Sequence, residues 1–319
     1  MAYNRVTGIT TMFDCNTPVY NELGQAISGA QDSATAMKLA GLDWDVATRP
    51  VQVCGGKKIP NTFANVREDT GDVLGLVTGR YKVVQNKDAF AFTDNLLGNG
   101  VRYETAGVIK DGKRVWMLAR MEDHNDYKLA GDECIPYLLF SNNHDGKGSV
   151  SVALTLTRVW CQNTLNLALK NAVRTWTMRH SGDVNGKLEE ARKTLELTGR
   201  YLANMEQTAD ELTQIAINPS VVEEMGRFLF PIKETAGERV NGNAEANRTL
   251  LMNIYNSKED VAPHKGSAWG AYLALTDMAS HMREGRKTET SAENRFLSLF
   301  DGGRDLATVG ADWLMQNIH

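Results

Sequence analysis

Between Arg158 and Lys193 the chain carries seven basic residues, Arg158, Lys170, Arg174, Arg179, Lys187, Arg192 and Lys193, against three acidic ones, Asp183, Glu189 and Glu190. The formal net charge of the whole chain is −4, so this excess is local. Trp160 and Trp176 lie among the basic residues. Guanidinium and ammonium groups hold phosphates, and indole faces stack on bases of any sequence. The run just before the segment alternates: Val150, Val152, Leu154 and Leu156 fall on one face, and Ser149, Ser151, Ala153, Thr155 and Thr157 on the other. Hydroxyls on a strand can add hydrogen bonds to phosphate oxygens. Arg158, Lys170, Arg174, Arg179, Trp160, Trp176, Thr155 and Thr157 are therefore the candidate contacts of a groove for single-stranded nucleic acid. The same residues also fit a solvated helix face above two core tryptophans.

Other constellations are poorer. Gly75-Leu-Val-Thr-Gly79 has no P-loop lysine, no Gly-x-Gly-x-x-Gly opens a helix, and neither Gly-x-Ser-x-Gly nor His-Glu-x-x-His occurs. The six histidines, His124, His144, His180, His264, His281 and His319, include no pair at helical metal spacing. Glu68, Asp69 and Asp72 have the chemistry to hold a magnesium ion, but Glu68-Asp-Thr-Gly-Asp72 also reads as a solvated hairpin turn. Cys161 beside Trp160 reads as a small buried side chain rather than a nucleophile. The expectation is no cofactor, no metal and no catalytic set. A metal-dependent enzyme acting on nucleic acid through Glu68, Asp69 or Asp72 is the minor alternative.

The elements that must position these residues follow from periodicity. Thr62–Val66 and Val73–Val77 read as a hairpin, and Tyr81–Val84 as a further strand. Asn86 is the expected cap of the next helix. Val101–Val108 and Arg114–Met121 flank Asp111-Gly112, a hairpin signal. Ile135–Phe140 and Val150–Leu156 flank the turn-rich segment around Asp145-Gly146. After Arg158 the period changes, and Leu165, Ala168, Leu169 and Ala172 share one helical face, which predicts a helix across the sheet over Arg158–Val173. Leu188–Ile215, Val221–Phe230, Asn243–Tyr255, Ser267–Met282, Ala292–Leu299 and Leu306–Ile318 read as helices, with Ser220-Val-Val-Glu223 as a capping box. The expected fold class is α+β: an antiparallel β-hairpin sheet packed by a long helix, then a helical C-terminal region. The division predicted is an N-terminal arm over 1–60, a core with two β-hairpins over 61–185 and the helical region over 186–319. The arm, with a short helix over Ser33–Ala40 capped by Ser33, is expected to cover a sheet edge or a neighbouring subunit.

With 319 residues, 42% hydrophobic and 23% charged, the composition is that of a globular protein. No apolar run approaches the ~20 residues of a membrane span. MAYNRVTGIT lacks a signal-peptide core. Cys15, Cys54, Cys134 and Cys161 form no CxxC pair, which fits free thiols in a reducing host cytoplasm.

Asn65-Val-Arg67-Glu-Asp69-Thr-Gly71, Leu74-Gly75, Tyr81-Lys-Val83-Val84-Gln85-Asn86, Ala89-Phe90, Arg158-Val-Trp-Cys161-Gln-Asn163-Thr-Leu165 and His264-Lys-Gly266-Ser-Ala-Trp269-Gly270 together resemble the phage- and plasmid-borne "domain of unknown function 932" family, from about Thr62 onward. That resemblance implies a mobile-element protein and brings no reaction. The order of strand, helix, two hairpins and long helix is similar to the core of single-strand annealing proteins of the RecT and Red-beta superfamily. This second resemblance implies single-stranded DNA in a basic groove and a homo-oligomeric ring or filament. The expected function is single-stranded DNA binding and annealing in phage or plasmid recombination, independent of ATP. The alternative is a protein-interaction (counter-defence) protein without DNA binding, which the acidic pI of about 5.9 and the large helical half favour.

Overall fold

The computed structural model describes residues 2–3, 10–11, 24–27, 30, 32–97, 101–121, 127–158, 164–165, 175–180, 198–282 and 306–318. Two short strands, β1 (Ala2–Tyr3) and β2 (Thr10–Thr11), pair with each other, and β3 (Gln25–Ala26) follows. Helix α1 (Ser33–Ala40) is capped by Asp32, whose carboxylate accepts from Thr35 N at 2.7 Å. Ser33, the expected cap, instead donates from its amide and hydroxyl to Asp94 at 2.9 and 2.6 Å. Strands β4 (Val46–Gln52), β5 (Lys58–Arg67) and β6 (Val73–Val77) form a three-stranded antiparallel sheet. β5 runs through residue 60, so a continuous strand occupies the expected edge of the arm. Tyr81–Val84, expected as a strand, forms none: its Lys82 amide bonds to the His180 carbonyl at 2.9 Å without a ladder on either side. Helix α2 (Asn86–Leu97) comes next.

The main sheet is built from β7 (Val101–Ile109), β8 (Arg114–Met121), β9 (Lys128–Leu129), β10 (Asp132–Asn143), β11 (Val150–Arg158), β12 (Thr164–Leu165) and β13 (Thr175–Met178). The order β12-β11-β10-β8-β7-β3 is antiparallel throughout, with β13 also on β11 and β9 on β10. Both predicted hairpins are present as β7–β8 and β10–β11. Lys110, Asp111 and Gly112 turn the first with φ of 54°, 56° and 80°, the left-handed region that an Asp-Gly turn suits. β3 pairs with β7 through Gln25 and Ala106, so the N-terminal arm does cover a sheet edge.

The helix predicted from Arg158 is not found where it can be checked. Arg158 ends β11, and Thr164–Leu165 pair with Thr157 and Leu156 as a strand. Residues 166–174 lie outside the described residues. β11 is also not half-buried. Val150, Val152, Leu154 and Leu156 belong to the main core, and Ser151, Ala153, Thr155 and Thr157 on the other face are buried too. A period of two reports that the two faces differ in chemistry, not that one of them is wet.

Helices α3 (Thr198–Gln214), α4 (Pro219–Leu229), α5 (Glu238–Ser257), α6 (Ala268–Asp277) and α7 (Leu306–Asn317) make the C-terminal part. α4 is capped by Asn218, accepting from Ser220 N, with Pro219 at its first position, two residues earlier than the capping box expected at Ser220. Every residue of α6 is buried, and α3, α5 and α7 pack around it. A five-residue π-turn, Met278–Met282, continues it. The core is continuous between sheet and helices. Two polar contacts also cross between them: Tyr127 Oη donates to Leu202 O at 2.6 Å, and His264 Nε2 lies 3.0 Å from Asp132 Oδ2.

Candidate nucleic-acid interface

A buried polar junction joins the three-stranded sheet, the start of α2 and the β10–β11 turn. Asn65, on the inner face of β5, donates from Nδ2 to His144 O at 2.8 Å. Asn86 was expected to cap α2, but the Asp88 and Ala89 amides bond to Gln85 O instead. The Asn86 side chain is thereby released to donate to Leu42 O at 3.0 Å, while its Oδ1 lies 2.8 Å from His144 Nε2. Asn142 Nδ2 donates to Val84 O at 2.8 Å, and Tyr81 Oη donates to Asn143 O at 3.0 Å. The Gln85 amide clips β4 by bonding both the N–H and the carbonyl of Val46 at 2.9 Å. The Tyr81 ring stacks on His180 at 4.7 Å, and Trp44 packs against the His144 ring and carries the Arg67 guanidinium over its own ring.

The junction is tight because two glycines allow backbones to touch. A Cβ on Gly75 would overlap the Asp145 backbone, and one on Gly146, where φ is +77°, would sit 2.7 Å from Val77 Cγ1. Burial pushes the imidazoles of His144 and His180 down, to about 3 and about 4. Both are neutral at neutral pH. Burial likewise raises the Tyr81 phenol, which stays protonated as a donor.

The junction's outside is basic. Tyr81 turns inward, which leaves Arg80 and Lys82 on either side of it exposed. The Lys82 amide bonds to His180 O, bringing exposed Arg179 to the same place. Gly146 abuts Leu76 and Val77, which sets exposed Lys147 against the same sheet. Asp145 is the carboxylate in this group, and its Oδ1 accepts from the Lys147 and Gly148 amides at 2.8 and 3.1 Å. Among the described residues, Arg80, Lys82, Lys147 and Arg179 form no ion pair. Arg67, by contrast, holds Asp69 through two bonds of 2.7 and 2.8 Å, which keeps that carboxyl below its ordinary range.

Of the candidates named from sequence, Arg179 is exposed in this cationic group. Thr155, Thr157 and Trp176 are 1%, 2% and 8% exposed. Their side chains are interior, and Trp176 is a core residue on the opposite face of the sheet from the hydroxyls. The backbone of Arg158 closes β11, and its side chain lies outside the described residues, as do Trp160, Lys170 and Arg174. Glu68, Asp69 and Asp72 do not converge: Glu68 lies 3.9 Å from Arg49, Asp69 is held by Arg67, and Asp72 accepts from Thr70 Oγ1 at 2.6 Å. Among the described residues, no group of three His, Cys, Asp or Glu is placed to hold a metal ion. No described helix is long and apolar enough to cross a membrane. Arg80, Lys82 and Lys147 carry no signal as a group in the sequence. They sit in short turns, and only the tertiary contacts of Tyr81, Gly146 and His180 assemble them.

A family model described as "Domain of unknown function (DUF932)" matches residues 73–300. No curated protein and no solved structure matches the chain.

Proposed function

The chain belongs to the family of that domain of unknown function, whose description carries no reaction, and we propose that this member binds single-stranded DNA and anneals complementary strands without a nucleotide cofactor, in phage or plasmid recombination. The observation that carries the reading is the set of exposed cations, Arg80, Lys82, Lys147 and Arg179, without ion-pair partners among the described residues. They are drawn from three segments onto one rigid junction. Four cations around one carboxylate, Asp145, whose Oδ1 accepts from the Lys147 and Gly148 amides, leave a local positive excess in an acidic chain. Such an excess suits a polyanion held by phosphate contacts, with no demand for base sequence. Arg158, Lys170 and Arg174 are proposed to extend the same contact, and a homo-oligomer is proposed as the form that acts.

The test is binding of a labelled thymidine oligonucleotide across a salt series, with annealing of complementary oligonucleotides followed in parallel without ATP. Each phosphate contact to a single strand contributes about 0.7 to the slope of log affinity against log salt. Replacing Arg80, Lys82, Lys147 and Arg179 by alanine is expected to flatten the slope by about 3 and to weaken binding to every sequence alike. A folded variant with the wild-type slope, or a wild type that binds no oligonucleotide at low salt, defeats the reading. A second reading, a protein-interaction module, is favoured by the outer face of the three-stranded sheet, where Val73 and Leu76 are 57% and 62% exposed. That reading takes over if the wild type leaves oligonucleotide untouched.

A further inference from the structure

The distal halves of β4 and β5 stand away from the body as a two-stranded ribbon. β6 supports β5 only over Phe63–Val66, whereas β4 and β5 continue to pair as far as Gln52 and Lys58. The end is closed by Val53 N donating to Lys57 O and Gly56 N donating to Val53 O, both at 3.0 Å. At the base Thr48, Arg49 and Pro50 pair with Asn65, Ala64 and Phe63, which β6 still backs, and the two-stranded part lies beyond them. From Thr48 to Asn61 every residue except the half-buried Val51 is exposed. The fourteen residues TRPVQVCGGKKIPN include Arg49, Lys57 and Lys58 and no carboxylate, in a chain of net charge −4. Lys57 and Lys58 make no ion pair among the described residues, and Arg49 has a loose, exposed contact of 3.9 Å with Glu68. Near the tip, Val53 and Ile59 are 50% and 39% exposed.

The ribbon runs into the cationic junction. At its base Asn61 Oδ1 accepts from Gly79 N at 3.0 Å, which places Arg80 next to the point where the ribbon joins the sheet. Positive side chains therefore follow one another from Lys57 and Lys58 at the tip, past Arg80 and Lys82, to Arg179 at His180. A protruding acid-free ribbon continuous with a cationic track has the complementarity of a linear polyanion. An anionic membrane fits less well, because the cations continue onto the body instead of ringing an apolar tip.

We infer that the Thr48–Asn61 ribbon is a second contact element for nucleic acid: Arg49, Lys57 and Lys58 hold phosphates of the strand seated on the junction, and Val53 and Ile59 lie against its sugars and bases. This inference rests on the proposed single-strand binding and adds the element that grips the strand beyond the body. A ribbon held at one end can close over a strand that has already docked, so its loss acts mainly on release.

The experiment uses the full chain and a labelled thymidine oligonucleotide, with affinity and dissociation rate measured from about 50 to about 200 mM salt. Two variants are compared with wild type: the triple substitution Arg49→Ala, Lys57→Ala, Lys58→Ala, and a ribbon in which Val53–Lys57 is replaced by Asn-Gly. Neither touches a buried side chain, and circular dichroism checks that both fold. The triple variant is expected to keep binding through the junction, with the salt slope flattened by about 2 and faster dissociation. The shortened ribbon is expected to flatten the slope by about 0.7 through loss of Lys57. If wild type binds and both variants match it at every salt concentration, the ribbon inference fails while the junction reading stands. If wild type binds no oligonucleotide, or instead sediments with phosphatidylserine vesicles, both fall.

Discussion

Acidification from about pH 7 to about pH 5 is expected to destabilise the junction through two histidines. Burial holds His144 and His180 neutral, with folded values near 3 and near 4; in the unfolded chain both return to about 6.5. Above about pH 6.5 neither state binds the extra protons, and stability is at its full level. As pH falls from about 6.5 toward 4, the unfolded chain takes up as many as two protons that the folded chain refuses, so stability falls with it. pH 5 lies about 1.5 units below the unfolded value of each imidazole and above both folded values, at about 1.4 kcal/mol per unit. That is about 2 kcal/mol per histidine and about 4 for the pair, against a total of roughly 5–15 for an ordinary domain. The lowered carboxyls of Asp32 and Asp69 act below this window. The assay is a set of urea unfolding curves at about pH 5, 6 and 7 on wild type, His144→Gln and His180→Gln. Glutamine at 144 can still donate to Asn86 and does not titrate, so each variant is expected to remove about half of the pH slope. A wild type with the same stability at pH 5 and pH 7, or a double variant with an undiminished slope, refutes the reasoning.

Gly75→Ala forces a methyl into the Asp145 backbone and is expected to lower stability by about 2 kcal/mol or more, measured by denaturant midpoint. Asn86→Ala deprives His144 and Asn142 of an acceptor and Leu42 O of a donor; at about 1–3 kcal/mol for each orphaned group it is expected to cost at least about 2 kcal/mol. Lys258→Ala leaves the fully buried Asp277 carboxylate without the ammonium 3.3 Å away. A loss of about 3 kcal/mol is expected, largely recovered by adding Asp277→Asn, and a thermal melt of the two variants checks it. Light scattering is expected to give a mass above one chain for the intact protein, and a monomer at all concentrations counts against the homo-oligomer.

The two hairpins of the main sheet were legible because Asp111-Gly112 and the Asp145-Gly146 segment interrupt clear alternation, and local turn chemistry decides such elements. Among the described residues, the C-terminal helices were legible from apolar period and cap chemistry, and α6 from its unbroken run of Ala, Leu and aromatics, while Ala292–Leu299 and the first turns of Leu188–Ile215 lie outside those residues. What local pattern could not give was the partner of a side chain. Ser33 and Asn86 have the chemistry of caps, yet Asp32 and Gln85 take those places, and the Ser33 hydroxyl goes to Asp94 and the Asn86 side chain to His144 and Leu42 O across the fold. The hydroxyls of Thr155 and Thr157 looked available because alternation cannot tell a wet face from a second dry one. The Thr164–Leu165 strand was hidden inside a helical period, since two residues pairing on β11 leave no periodic trace. Arg80, Lys82 and Lys147 were invisible as a group, being brought together only by contacts of the junction.

The bond from Asn65 to His144 O spans 79 residues of chain. During synthesis at roughly 5–20 residues per second, Asn65 leaves the ribosome roughly 4–16 s before His144. In that interval Asn65 and the groove beside Gly75 have only water to meet them, and α2 starts without His144 on Asn86. The nascent chain must therefore hold its first sheet as a provisional structure until Asn142–Gly148 arrives. Ribosome pausing between residues 77 and 142 would lengthen the most vulnerable stage of its manufacture.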